Sequence, residues 1–139
     1  MEYRLFGKTY VLRLDKGDEI VESLTRFSKD VNIRLATVQG IGATDDATIG
    51  RYDTTGKQYY KKELKGDMEI APLLGNITTM DGEQYLHLHI NLGDKENNAW
   101  AGHLNKAVVS ATFECFISVI EGQVDREKDD EIGLNLMKF

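Results

Sequence analysis

Three histidines occur in the 139-residue chain, His87, His89 and His103, and all fall within seventeen residues of one another. The first two lie in Gln84 to Leu92 (QYLHLHINL), where apolar and polar residues alternate strictly. That period predicts a strand with Leu86, Leu88, Ile90 and Leu92 toward a core and Tyr85, His87, His89 and Asn91 on the other face. Same-face strand neighbours stand about 6.7 Å apart at Cα, so two imidazoles can converge on one ion with bonds of about 2.0–2.1 Å. Gly93 to Asn98 is expected to close a hairpin. Facing residue numbers then sum to about 191, which sets His103 opposite residue 88, and a one-residue adjustment brings it beside His87 or His89. Ala101 and Gly102 leave room there. Solvent-facing strand histidines are the plainer alternative, but three of three in one hairpin favours a metal site. Neutral nitrogen donors suit zinc, nickel, copper or iron better than magnesium or calcium. Three of them leave a coordination position open, the arrangement that activates water at catalytic zinc.

A carboxylate could complete or assist such a site. Glu114 is the first candidate, since it sits in Val109 to Ile120 opposite an apolar face of Val109, Ala111, Phe113, Cys115, Ile117 and Val119. A carboxylate there is either paired with a cation or metal, or faces solvent. Asp94 and Glu96 are weaker candidates, because acids in turns are usually solvated. Cys115 is the one cysteine, which excludes an intrachain disulfide and a zinc ribbon, and its apolar neighbours predict a buried, inert thiol. Gly40-x-Gly42 lacks the third glycine of a dinucleotide fingerprint, and no P-loop or G-x-S-x-G turn is found.

The elements that must carry these residues are mostly strands. One helix is predicted over Asp18 to Asn32, with Ile20, Leu24, Phe27 and Val31 at helical spacing and Val21 widening the stripe. Acids begin it and Arg26 and Lys29 follow, which complements the helix dipole. Strands are expected at Tyr10–Leu14, Leu35–Gln39, Thr48–Tyr52, Gln58–Leu64, Met68–Leu73, Asn76–Met80, Gln84–Leu92 and Ser110–Ile120. Gly40-Ile41-Gly42 is expected to bend or bulge. The pattern predicts one α+β domain over 1–139, built mainly of antiparallel sheet with one principal helix.

Charge bounds the partners. The chain carries 23 acids against 17 bases, a net charge of −6. Six acids and two bases crowd into Glu121 to Glu131, an acidic C-terminal segment expected to be a solvated turn or strand extension. Gly56 to Gly66 has the opposite bias, with four lysines beside Tyr59 and Tyr60. Such a stretch could meet nucleic-acid phosphates, but a lysine-guarded strand edge explains it more simply. No signal-peptide stretch or run of about 18 apolar residues is present, so a cytoplasmic chain with no membrane span is expected.

The H-x-H and G-H pairs, with Gly40 to Ala43 (GIGA), Met68-Glu69-Ile70 and Leu74 to Thr78 (LGNIT), resemble the plants-and-prokaryotes-conserved (PPC) domain family, in that order, from about Tyr10 to Glu121. Ala101 stands where family members commonly have a glycine. The resemblance implies an α+β fold, a homotrimer, and a metal, usually zinc, held by His87, His89 and His103. Plant members join the domain to AT-hooks and act in gene regulation, and prokaryotic relatives are often labelled DNA-binding. This chain has no Arg-Gly-Arg-Pro hook, and its one proline is Pro72. The fold is also similar to that of acetolactate decarboxylase, so a metal-dependent enzyme with Glu114 moving protons is the alternative, and a metal-dependent small-molecule binding module is a third reading. A cupin would need a glutamate where Gly93 or Asp94 stands.

Overall fold

The computed structural model describes all of residues 1–139. Strands take up 68% of the chain, so sheet rather than helix sets the frame. In chain order they are β1 (Glu2–Phe6), β2 (Thr9–Asp15), β3 (Ala36–Asp53), β4 (Gln58–Met80), β5 (Glu83–Asp94), β6 (Ala99–Val119), β7 (Asp125–Lys128) and β8 (Asn135–Lys138), with α1 (Ile20–Asp30) between β2 and β3. All eight strands belong to one sheet in the order β1-β2-β6-β3-β4-β7-β8, with β5 joining β4 to β6. The antiparallel pairings β3–β4, β4–β5, β5–β6 and β6–β3 therefore close on themselves. Closure removes the open edges that a four-stranded ribbon would expose.

Several strands predicted separately are continuous. Leu35–Gln39 and Thr48–Tyr52 merge into β3, and the three segments between Gln58 and Met80 merge into β4. Glycine did not end these strands, because bulges absorbed it: registers shift between Gly40 and Gly42 and between Thr44 and Asp46. A matching shift between Gly42 and Thr44 on the β6 side leaves Ala111 exposed, although Val109, Phe113, Cys115 and Ile117 are buried as their alternation predicts. The start of the chain forms β1, which the sequence reading left unassigned. At Asp81-Gly82, both residues take positive φ (53° and 84°), and this two-residue turn joins β4 to β5.

Helix α1 is shorter than its apolar period suggests, beginning and ending two residues inside Asp18 to Asn32. Glu19 caps it, accepting the Glu22 N–H at 2.7 Å and the Ala107 N–H at 2.8 Å, which also ties the helix to β6. Asn32 takes a left-handed φ of 53°, and the Ile33 N–H reaches back to the Ser28 carbonyl, which ends the helix. Ile20, Leu24 and Phe27 are buried against the sheet, and Phe27 meets Tyr3 and Tyr10 edge-on at 4.9 and 5.1 Å. Cys115 is fully buried, and burial pushes its thiol up to about 12, as expected of an inert core cysteine. No helix is long and apolar enough to cross a membrane.

Candidate metal centre

The alternation in β5 has the predicted phase. Leu88, Ile90 and Leu92 are at most 2% exposed, and His87 and His89 face away from the core. The hairpin that brings in His103 depends on Asp94. Its carboxylate accepts the N–H groups of Glu96 (3.0 Å) and Asn98 (2.8 Å) and the Trp100 indole N–H (2.9 Å). These bonds, led by Trp100, hold the Asp94 carboxyl below the usual carboxylate range. Asp94 is thus a turn-former rather than a ligand. The loop sets Leu92 opposite Trp100, one residue beyond the simplest register, and His89 falls directly opposite His103. Directly opposed residues share a face, so the three imidazoles meet.

Their ring centroids stand 5.2 to 5.6 Å apart, and one nitrogen from each ring lies within 4.8 Å of the other two. The Nε2 atoms of His87 and His89 are 3.3 Å apart. Two nitrogens bound to one ion at about 2.0–2.1 Å with a tetrahedral angle stand about 3.3–3.4 Å apart, whereas an octahedral edge would be about 2.9 Å. One ion can therefore bridge the pair, a spacing that a hydrogen bond between the two rings also has, and the third nitrogen lies within 4.8 Å. Burial holds His103 down to about 4, and the charges of His87 and His89 add to it. His87 is lowered by burial first, then by Arg126 and His89. Both shifts favour the neutral imidazole, the form that can donate a lone pair to a metal. The residues present fit a three-nitrogen metal site.

Space beside the rings comes from two backbones. His103 pairs with Gly50 of β3, and the Tyr59 side chain crosses over Gly50 to donate to Asn105 Oδ1 at 2.9 Å. A Cβ on Gly50 would fall 2.0 Å from the Tyr59 hydroxyl oxygen, and one on Gly102 would fall 2.7 Å from the Gly50 carbonyl oxygen. The ring of Tyr59 meets His103 edge-on at 6.2 Å.

The histidines open onto a cavity of about 720 Å³. Arg126, 8% exposed, reaches it from β7 and donates to Thr78 Oγ1 (2.8 Å), the Asn135 carbonyl (2.8 Å) and Asn76 Oδ1 (3.0 Å). Its guanidinium also lies 4.8 Å from the centre of the Tyr85 ring. Burial pulls its pKa down from the ordinary arginine value. The sequence reading treated Glu121 to Glu131 as wholly solvated, and so missed Arg126. Among six acids an arginine looks like one more surface charge, and only the pairing of β7 with β8 and with the end of β4 turns it inward.

Glu114 lies elsewhere. It is eleven residues beyond His103 on the same strand, a path of roughly 35 Å. It faces Arg13 across the β2–β6 pairing and lines a separate cavity with Arg13 and Phe116. The strand period that set it off the core face carried no information about distance along β6. The lysine stretch is mostly engaged. Lys65 pairs with Asp46 at 2.7 Å, Lys62 lies 3.6 Å over the Trp100 ring, and Lys57 donates to the Asp130 carbonyl at 2.9 Å. It lies along the β4 segment that pairs with β3 alone, a guarded edge.

Residues 1–121 match the Plants and Prokaryotes Conserved (PCC) domain family. The chain belongs to that family. Its fold is similar to a "putative DNA binding protein" from Bacteroides thetaiotaomicron, with TM-score 0.97 and 33% identity over 99% of this chain and 96% of that one. It is also similar to a metal-containing protein from Archaeoglobus fulgidus, with TM-score 0.90 and 35% identity over 99% and 97% of the two chains. The chain is also similar to part of a longer protein: the bifunctional protein GlmU of a Synechococcus strain is 31% identical over 98 residues, 70% of this chain. This chain spans only 14% of that relative's length.

Proposed function

We propose that this PCC-domain protein is a homotrimeric regulatory module that holds zinc through His87, His89 and His103 and presents the open coordination position to a small molecule. The observation that carries the reading is the 3.3 Å separation of the His87 and His89 Nε2 atoms, with His103 directly opposite His89. Bound there, zinc would supply a Lewis-acid position toward the cavity. The histidines fix its place, and Tyr59, braced by Asn105, limits the space beside His103.

Assembly has support on the outward sheet face. Val11, Phe116, Gln39, Leu74 and His89 are successive cross-strand partners and so share one face. Phe116 and Leu74 are 43% and 52% exposed there, and nearby Ile41 is 59% exposed. A band of this kind suits contact with further copies of the chain. The site lies at one end of that row.

The name of the Bacteroides structure favours association with DNA. The net charge of −6 and the engaged lysines make any such contact weak in one chain, so it would have to come from the assembly. Mobility shift of duplex DNA at low salt tests this: retardation that fades steeply with added salt supports a DNA-associated role, and free migration of the zinc-loaded protein at the lowest salt removes it. The catalytic alternative loses its proton-moving candidate within one chain, since Glu114 lines a different cavity.

A further inference from the structure

Arg126 poses an electrostatic problem that the histidine site does not explain. Its side chain is nearly buried, yet every hydrogen bond it makes goes to a neutral oxygen: a threonine hydroxyl, an asparagine amide and a backbone carbonyl. It takes part in none of the molecule's ion pairs, although the chain has 23 acidic residues. Its sequence neighbours Asp125 and Glu127 are committed elsewhere, to Thr79 and Gln123 and to Lys138. A buried cation without a counter-ion is costly. The Tyr85 ring meets the guanidinium at 4.8 Å, but no anion does.

The cavity that Arg126 lines supplies the rest. None of the side chains around it is acidic. A guanidinium offers five N–H donors, and the three bonds described leave two. Leu134, Leu136 and Met137 form an apolar wall, with Leu134 and Met137 each more than a third exposed. The volume of about 720 Å³ fits a small organic molecule rather than a bare ion. Neither lysine nor a helix N-terminus reaches it, which fits a singly charged anion better than a phosphate group.

We infer that this cavity takes a small organic carboxylate, its anionic group held by Arg126 beside the open side of the histidine triad and its apolar body lying on Leu134, Leu136 and Met137. The inference deepens the proposed function, and its metal-side contact rests on that reading; the Arg126 contact does not.

Calorimetric titration with 4-methylpentanoate and with its neutral amide, on zinc-loaded and EDTA-stripped protein, tests both parts. The acid should bind at least about tenfold more tightly than the amide. Arg126→Gln should reduce the acid to the level of the amide, and stripping should weaken the acid without erasing its advantage. Since Arg126 also anchors β7 and β8, Arg126→Gln is checked for folding by circular dichroism. If it unfolds, the acid-to-amide ratio on the unaltered protein decides alone. Equal binding of acid and amide, no binding of either, or full acid binding by folded Arg126→Gln overturns the inference while leaving zinc binding intact. A protein that takes up no zinc but still prefers the acid through Arg126 removes the metal reading and keeps the anion site.

Discussion

Gly102→Ala puts a methyl group against a backbone rather than a side chain, and that decides its cost. The new Cβ would stand 2.7 Å from the Gly50 carbonyl oxygen and 3.4 Å from the Gly50 nitrogen. Both atoms belong to β3, one strand over from β6, and Gly50 is the residue paired with His103. Relief therefore requires β3 and β6 to separate where the site is built. Overpacking of this kind costs about 2–3 kcal/mol. For a chain of this length the melting temperature should fall by roughly 6–12 °C. Gly50→Ala is the control. Its Cβ falls 2.0 Å from the Tyr59 hydroxyl oxygen, but that ring is 37% exposed and can swing away. The loss is then one hydrogen bond to Asn105, about 1 kcal/mol, or roughly 3–5 °C. Differential scanning fluorimetry of both variants without metal gives the comparison. A Gly50→Ala variant that melts below Gly102→Ala, or a Gly102→Ala variant that melts with the parent protein, refutes the reasoning.

Three further outcomes are expected. The metal-free protein should lose stability as the pH falls from about 6.5 toward 4, because the unfolded His103 takes up its proton first. Discounted for a half-buried ring, the His103 share amounts to about 1 kcal/mol, and His103→Asn should reduce the loss by that share, leaving the part due to His87, in urea titrations across the window. Asp94→Ala removes the acceptor for Glu96, Asn98 and Trp100, so it should lower the melting temperature and weaken zinc uptake together. Uptake unchanged beside a lowered melting temperature would show that the turn does not set the site. If the proposed homotrimer packs through this face, Phe116→Asp should shift its sedimentation toward the monomer, and sedimentation unchanged from the parent protein would clear this face of any part in assembly.

The sequence made the site more legible than the fold. The two-residue period in Gln84 to Leu92 gave the face of His87 and His89, because it is strict and unbroken. The register of His103 could be read only to within one residue, since side-chain bonds to Asp94 decide how the loop closes. Strand lengths were legible least. In β3 and β4 the glycines that usually punctuate strands sit at bulges, and pairing continues through them on both sides. Arg126 was hidden by its acidic neighbours, and Glu114 was correctly placed off the core face but at the wrong end of a long strand.

Elemental analysis of protein purified without a histidine tag and reconstituted with zinc tests the central claim most directly. The three-nitrogen geometry predicts about one zinc per chain, with none retained by the His87→Ala, His89→Ala double variant. Protein that takes up no zinc, or a double variant that keeps the full complement, would contradict it.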